Sequence, residues 1–226
     1  LPKNAEPPYQ TVVVFPGIDW FSSGSGENFM KNPGGGIDFF LKDGRALMYI
    51  VFYGYLEREK DVETNPSNTL AGFNNFMIDF KRSVDYLETR DDIDTNKIAI
   101  FAASWGGLWA SAMPAIEERV KALISCLHGL LRPNTEVREL SQKNFVIRNK
   151  IPTLMLNGKY DMHYNYDASV KPMFDLLGTP AKDKKLVLYE SDHFIPGNEL
   201  VKESLGWLDK YLGPTKKQKA ENIYKE

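Results

Sequence analysis

Residues 97–109 read KIAIFAASWGGLW and place Ser104 between an apolar, β-branched run and a run typical of a helix. This is the layout of a nucleophile elbow, a tight strand-to-helix turn that exposes one hydroxyl above a sheet. Small residues are needed two positions before and after the serine, because the strand and the helix pass close to one another there. Gly106 meets that need, and Ala102 stands where glycine is usual. The pattern predicts a nucleophilic Ser104, although the bare pentapeptide also arises by chance in loops.

Two groups that could activate this serine come later in the chain, each just after a strand-like run. Asp161 follows the run TLMLN, and His193 follows the run KLVLY. A serine hydroxyl is too weak an acid to attack a carbonyl unaided, so an imidazole must accept its proton and later pass it to the leaving group. A carboxylate then fixes the tautomer of that imidazole and stabilises the imidazolium. The sequence therefore predicts a triad of Ser104 as nucleophile, Asp161 as acid and His193 as base.

Aspartate and histidine at these positions can also have purely structural roles. An aspartate after a strand often only caps a turn or a helix, which applies to Asp161 itself. Asp167 is best interpreted as the N-cap of the next helix. The other two histidines, His128 and His163, are expected to be structural or to face a substrate, and either role would leave His193 as the base.

The negative charge that develops on a substrate oxygen also needs hydrogen-bond donors. Two backbone N–H groups supply them in this architecture, one from the residue after the nucleophile and one from the loop after an early strand. These groups map to Trp105 and to Ile18, with Asp19 as the alternative to Ile18. An ordinary turn is the alternative interpretation of Pro16-Gly17 after a strand. Aromatic residues near this face are expected to line a substrate pocket or to pack in the core: Trp20, Phe21 and Tyr160.

The sequence predicts strands and helices that alternate along the chain and that must position these groups. Strands are predicted in the run before Ser104 and at residues 11–15, 46–52, 122–127, 153–157 and 185–189. Helices are predicted at residues 37–42, 73–87, 107–116, 167–177 and 198–212. This alternation predicts an α/β fold, a mostly parallel sheet with helices on both faces. Catalytic groups gather at the carboxyl ends of such strands, where all three triad candidates are expected to lie.

The length and composition of the chain limit the number of domains and the kinds of partner that it can have. With 226 residues, 42% of them hydrophobic, the chain can bury the core of one domain, assigned to residues 1–213 with a charged tail at 214–226. A net charge of -2 argues against a nucleic-acid surface. The single cysteine, Cys126, excludes an intrachain disulfide, and no run approaches the ~20 apolar residues of a membrane span. Residues 129–151 leave room for only a minimal cap.

Short segments across nearly the whole chain carry a family resemblance: LPKNA, PPYQ, DYLETR, DID, SWG, LLGTP and WLDKYLG. The chain resembles α/β-hydrolases of the dienelactone-hydrolase-like and prolyl-oligopeptidase-like kind, and more narrowly the hydrolase domain fused to bacterial serine/threonine protein kinases. The resemblance implies a Ser-Asp-His hydrolase without a metal or organic cofactor. Two antiparallel strands usually precede the run at residues 11–15 in such domains. We therefore expect the chain to be the C-terminal part of a longer polypeptide, with upstream domains as partners.

The main functional hypothesis is a serine hydrolase that cleaves carboxylic esters of small or soluble substrates through an acyl-enzyme intermediate. Two alternatives stay open. One is a serine peptidase of oligopeptidase type, because Ser-Trp-Gly-Gly also resembles the elbow of those enzymes. The other is a sensory or interaction module that retains the hydrolase fold without turnover. A single cysteine is compatible with the cytoplasm, but upstream sequence could equally hold a signal peptide or an anchor.

Overall fold

A computed structural model of the chain describes residues 1–17, 25–31, 36–58, 66–131 and 137–217. Within these ranges one all-parallel sheet runs in the order β2-β1-β3-β4-β5-β6. Its strands are β1 (Tyr9–Phe15), β2 (Ala46–Tyr49), β3 (Ile93–Ala103), β4 (Val120–Cys126), β5 (Thr153–Gly158) and β6 (Lys184–Tyr189). The predicted α/β class and mostly parallel sheet are confirmed.

Helices cover both faces of this sheet. They are α1 (Gly26–Lys31), α2 (Phe39–Lys42), α3 (Pro66–Glu88), α4 (Trp105–Ala110), α5 (Lys143–Val146), α6 (Lys171–Leu176) and α7 (Gly197–Leu212). Four single 3-10 turns (Leu56–Arg58, Met113–Ala115, Arg138–Leu140 and Ala181–Asp183) and a π-helical turn (Tyr166–Val170) complete the regular structure of the described residues. Among these residues, no helix is both long and apolar enough to cross a bilayer.

The central strands are buried on both faces, which explains their continuous apolar runs. In β1, Val13 and Phe15 pack in the cluster that includes the buried face of α3. Val12 and Val14 point to the opposite face and pack with residues of α2 and α7. Because side chains alternate along a strand, a run of consecutive apolar residues is what a strand between two helical layers requires.

Several predicted ends of strands and helices are wrong, because contacts between elements determine where they end. The second strand was expected at residues 46–52, but β2 ends at Tyr49 because its ladder with β1 runs only from Ala46 to Tyr49. Ile50 and Phe52 remain buried as part of the core, without strand pairing. The helix expected at residues 107–116 begins earlier, at Trp105, and ends at Ala110, and Pro114 lies in a separate 3-10 turn. The missing N–H of that proline is incompatible with a longer helix.

The prediction that Asp167 caps the next helix is also wrong. The observed N-cap is Asn165, whose side-chain oxygen accepts a hydrogen bond from the backbone N–H of Ala168 at 3.0 Å. Asn165 has the extended backbone of a capping residue, whereas Asp167 already lies within the π-helical turn that precedes α6. The single helix expected at residues 167–177 is therefore divided into that turn and α6.

A buried arginine joins the amino ends of β1 and β2 to the end of α7. Arg45 is fully buried and forms ion pairs with Asp43 and with Asp209, the latter at 2.6 Å. Its Nε also donates to Gln10 Oε1 at 3.1 Å, and Gln10 Nε2 in turn donates to the carbonyl of Gly213 at 2.9 Å. This network holds the chain that follows α7 against the amino ends of β1 and β2. The triad candidates lie at the opposite, carboxyl ends of the strands.

We expect Arg45→Met to lower the free energy of unfolding by about 1–3 kcal/mol, because it leaves the buried Gln10 Oε1 without its donor and removes an ion-pair partner from Asp43 and Asp209. Urea unfolding followed by circular dichroism measures this loss. The matched control is Arg82→Met, which removes an exposed pair with Asp85 and is expected to cost less than about 1 kcal/mol. Equal losses in the two variants would contradict a structural role for the buried network.

Candidate active site

Ser104 lies in a strained turn between β3 and α4. Its backbone has φ 50° and ψ -117°, a left-handed conformation that is costly for a residue other than glycine. The turn is fixed by two hydrogen bonds: the N–H of Ser104 donates to the carbonyl of Cys126 at 2.9 Å, and the N–H of Gly107 donates to the carbonyl of Ser104 at 3.0 Å. This geometry presents the serine hydroxyl at the carboxyl edge of the sheet.

The small residues beside Ser104 allow α4 to pass close to β1. A Cβ atom at Gly106 would lie 2.1 Å from the carbonyl oxygen of Phe15 and 2.6 Å from that of Pro16, so no larger residue fits. Ala102 is fully buried within β3, where it pairs with Phe15 and Ser125. Alanine is therefore accommodated at the position where glycine is usual.

The structure brings all three triad candidates into contact. His193 Nε2 lies 2.8 Å from Ser104 Oγ, and His193 Nδ1 lies 2.7 Å from Asp161 Oδ2. A carboxylate can only accept, so Nδ1 carries the proton and Nε2 is left to accept the serine hydroxyl proton. This tautomer is the one that general-base catalysis by His193 requires.

Asp161 makes the contacts that both of its alternative predicted roles require. Its side chain is buried, and Oδ1 accepts the backbone N–H groups of His163 at 2.8 Å and Tyr164 at 3.1 Å. Those bonds close the turn after β5 and hold the carboxylate in one orientation. Oδ2 is thereby directed to His193, so the residue both closes a turn and orients the imidazole of His193.

The loops that carry Asp161 and His193 are bonded to one another. The N–H of Lys159 donates to the carbonyl of Tyr189 at 2.8 Å, and the N–H of Tyr160 donates to that of Ser191 at 2.9 Å. Glu190 accepts from Lys159 Nζ at 2.7 Å and from the Tyr160 hydroxyl at 2.5 Å. Those bonds, led by the one from Lys159, lower the pKa of the Glu190 carboxyl. These contacts of Glu190 with Lys159 and Tyr160 have no local signal in the sequence, because the partners are 30 residues or more apart.

The predicted oxyanion and pocket residues are only partly described. Trp105 is the first residue of α4, where helix N–H groups point away from the helix. Its ring packs against Tyr55 and Trp109, with centroids 5.5 and 5.7 Å away. Tyr160 is exposed, and its hydroxyl is engaged by Glu190, so its role in a substrate pocket stays a prediction. The remaining predicted residues lie outside the described part of the chain: Ile18, Asp19, Trp20 and Phe21.

His128 is a buried structural residue behind the elbow. Its ring occupies the space beside Gly107, where a Cβ atom would lie 2.4 Å from His128 Cγ. Gln142 accepts the N–H of Leu131 through its Oε1 at 2.7 Å, so its amide nitrogen is the atom 3.2 Å from His128 Nε2. That nitrogen can only donate, which makes the imidazole neutral. Burial lowers the pKa of His128 to about 3.

This burial predicts a pH dependence of stability. Between about pH 6.5 and pH 3 the unfolded chain binds a proton at His128 that the folded chain does not, so the free energy of unfolding falls by about 1.4 kcal/mol per pH unit as pH decreases. The contribution is fully present above about pH 6.5. We expect His128→Leu to remove this component of the slope, measured by urea unfolding from pH 7.5 to pH 4.5. An unchanged slope in the variant would contradict it.

Within the described residues, no group of three or more His, Cys, Asp or Glu side chains is placed to hold a metal ion. Cys126 is buried at the end of β4, and burial raises the pKa of its thiol, so it is a poor nucleophile.

Comparisons with known proteins agree with this architecture. No family model matches the sequence, and no curated protein matches it either. A protein from Klebsiella pneumoniae assigned as a dienelactone hydrolase is 17% identical with a TM-score of 0.70, over 93% of this chain and 90% of that chain. The acetyl xylan esterase from Paenibacillus sp. R4 is 17% identical with a TM-score of 0.67, over 92% and 76%. Est1E from Butyrivibrio proteoclasticus, solved with ferulic acid bound, is 17% identical with a TM-score of 0.60, over 88% and 87%. At these identities the likeness shows a shared fold.

Proposed function

We propose that this chain, which has the α/β-hydrolase fold, is a serine hydrolase that cleaves carboxylic esters of small or soluble substrates through an acyl-enzyme intermediate. The observation that carries the proposal is the unbroken chain of short contacts from Ser104 Oγ through His193 to Asp161. Three groups from three separate loops meet at hydrogen-bond distance and in the order of proton transfer, which is the geometric requirement for an activated nucleophile.

The proposed reaction proceeds in two steps. Ser104 Oγ attacks the ester carbonyl while its proton passes to His193 Nε2, and Asp161 stabilises the imidazolium that forms. The ester C–O bond then breaks, and the alkoxy oxygen leaves with the proton from His193. In the second step water attacks the acyl group on Ser104, gives a proton to His193, and the proton returns to Ser104 Oγ as the carboxylic acid departs.

The backbone N–H of Trp105 is the donor that we propose for the developing oxyanion, with Ile18 or Asp19 as the second. Trp105 follows the nucleophile directly and begins α4, so the field of the first helical turn favours negative charge at that point. The solved proteins of similar fold include an acetyl xylan esterase and a protein with ferulic acid bound, and these names support an ester as the substrate class.

Covalent labelling tests this proposal directly. A fluorophosphonate probe phosphonylates an activated serine, so we expect mass spectrometry to locate one adduct on the peptide that contains Ser104. We also expect p-nitrophenyl acetate to be hydrolysed with a burst of p-nitrophenol. A protein that acquires no adduct and turns over no ester would support the non-catalytic alternative, and hydrolysis of short peptides without aryl esters would favour the peptidase.

A further inference from the structure

We propose that the turns after β5 and β6 form a subsite for the alcohol portion of the ester, and that this subsite selects neutral, apolar alcohols. The proposal rests on the ester hydrolysis proposed above and names its substrate class. The subsite is built from His163 and Met162 in the first turn and Phe194 in the second.

The proton path determines where the alcohol must bind. The alkoxy oxygen receives its proton from His193 Nε2 as the C–O bond breaks, so that oxygen must lie within hydrogen-bond reach of this atom. The rest of the alcohol then extends past His193 toward the loops that hold it. The acyl portion, by contrast, stays bonded to Ser104, beside α4.

His163 and Tyr164 lie against His193 in two different ways. Tyr164 is buried, and its ring is nearly parallel to that of His193, with a centroid distance of 6.1 Å and an angle of 25°. The ring of His163 meets His193 edge to face, with a centroid distance of 4.9 Å and an angle of 74°, and it is exposed. Tyr164 therefore supports the base from the protein interior, and His163 is the neighbour of His193 that a bound alcohol can reach.

Two large apolar side chains beside these histidines are left uncovered by the described residues. Met162 is 92% exposed and Phe194 is 57% exposed. Neither lies on a loose segment: Asp161 Oδ1 closes the turn around Met162, and in the second turn Ser191 Oγ donates to the carbonyl of Phe194 at 2.6 Å. The two turns thus carry Met162 and Phe194 at fixed backbone positions, one residue from His163 and from His193, and an apolar group that covers either side chain removes apolar area from water.

The charges at this end of the site exclude an anionic alcohol. Glu190 and Asp192 both precede His193 in the chain and are exposed, and the buried Asp161 contacts His193 Nδ1. The nearby cation Lys159 is already paired with Glu190 at 2.7 Å. An alcohol that carries a phosphate or carboxylate would meet these like charges, and Lys159 is already paired with one of them, whereas a benzyl or alkyl group would cover the side chains of Met162 and Phe194.

The test compares methyl acetate with benzyl acetate, which share the acyl group and differ only in the alcohol. We expect the unaltered protein to have a higher kcat/KM for the benzyl ester by about 10-fold or more, the selectivity that apolar contact of this size provides. Met162→Ser and Phe194→Ser are each expected to lower the benzyl-to-methyl ratio about 3- to 10-fold. The ratio of methyl butanoate to methyl acetate, which reports on the acyl side, should stay the same.

The matched control is Ile78→Ser, which removes a 55% exposed apolar side chain from α3 and should leave both ratios unchanged. A benzyl-to-methyl ratio that is unaffected by the Met162 and Phe194 substitutions, or that falls equally in the control, would overturn the subsite. A different result would contradict the proposed function: the unaltered protein would hydrolyse no ester and acquire no adduct on Ser104. The subsite proposal would then fail as well.

Discussion

Ser104→Ala is expected to lower kcat for ester hydrolysis by about 10⁶-fold, the loss that removal of the nucleophile causes in serine hydrolases that use such a triad. The variant keeps the fold, because the hydroxyl is not part of the bonds that fix the turn: those bonds use the backbone N–H and carbonyl of residue 104. Steady-state turnover of p-nitrophenyl acetate, with single-turnover measurements for the variant, gives the ratio. Labelling by a fluorophosphonate should disappear at the same time.

Ser111→Ala is the matched control for this loss. Ser111 is the C-cap of the same helix α4, it is buried, and its hydroxyl donates only to the carbonyl of Leu108 at 3.0 Å. We expect it to cost about 1 kcal/mol of stability and to leave labelling intact. If Ser104→Ala retained full turnover or still acquired the label, another nucleophile would be responsible and the proposed mechanism would be wrong.

The sequence could predict the sheet and the order of the triad, because both depend on local patterns. Buried parallel strands produce continuous apolar runs such as TVVVF, and these were located within one or two residues except at β2, which ends three residues early, and at β3, which begins at Ile93 rather than at the predicted run from Ile98. In a parallel sheet the chain returns to the same edge after every strand. Groups placed after β3, β5 and β6 therefore converge, and the structure brings Ser104, Asp161 and His193 within hydrogen-bond distance.

Features that depend on partners distant in the chain were not predictable. The burial of Arg45 requires Asp209, which lies 164 residues away, and nothing in the local sequence signals that contact. The choice between Asn165 and Asp167 as a helix cap depends on backbone dihedral angles, since both side chains can accept the same bond. The length of β2 likewise depends on its pairing with β1, since the ladder between the two strands ends at Val14 and Tyr49. These cases share one cause: the competing local options are close in energy, and tertiary packing decides between them.

A glycine at the end of β5 allows the turn that carries His193 to pass close to the strand that precedes Asp161. A Cβ atom at Gly158 would lie 1.7 Å from the carbonyl oxygen of Asp192 and 2.7 Å from that of Ser191. Both are backbone atoms of the turn that carries His193, so a methyl group there cannot be accommodated by rotating a side chain. An isolated glycine after a strand is a known signal of close backbone approach, but the sequence does not say what approaches.

Gly158→Ala is expected to lower kcat/KM by about 10²- to 10³-fold, because the turn must move by ~1 Å or more and a displacement of that size breaks a productive geometry. The contacts at stake are the 2.7 and 2.8 Å bonds that His193 makes to Asp161 and Ser104. The rate of fluorophosphonate labelling should fall in parallel, since the serine is present but no longer activated. Urea unfolding distinguishes this effect from a failure to fold.

Gly72→Ala makes the same chemical change, but we expect it to preserve activity and to raise stability. Gly72 lies within α3, and a Cβ atom there would have nothing within 4 Å. Alanine is the better helix former, so this variant should gain up to about 1 kcal/mol of stability and keep its kcat/KM. If Gly158→Ala behaved like Gly72→Ala, the approach of the His193 turn to β5 would not position the base. A selective loss at Gly158 would instead show that catalysis depends on the contact between two neighbouring strand ends.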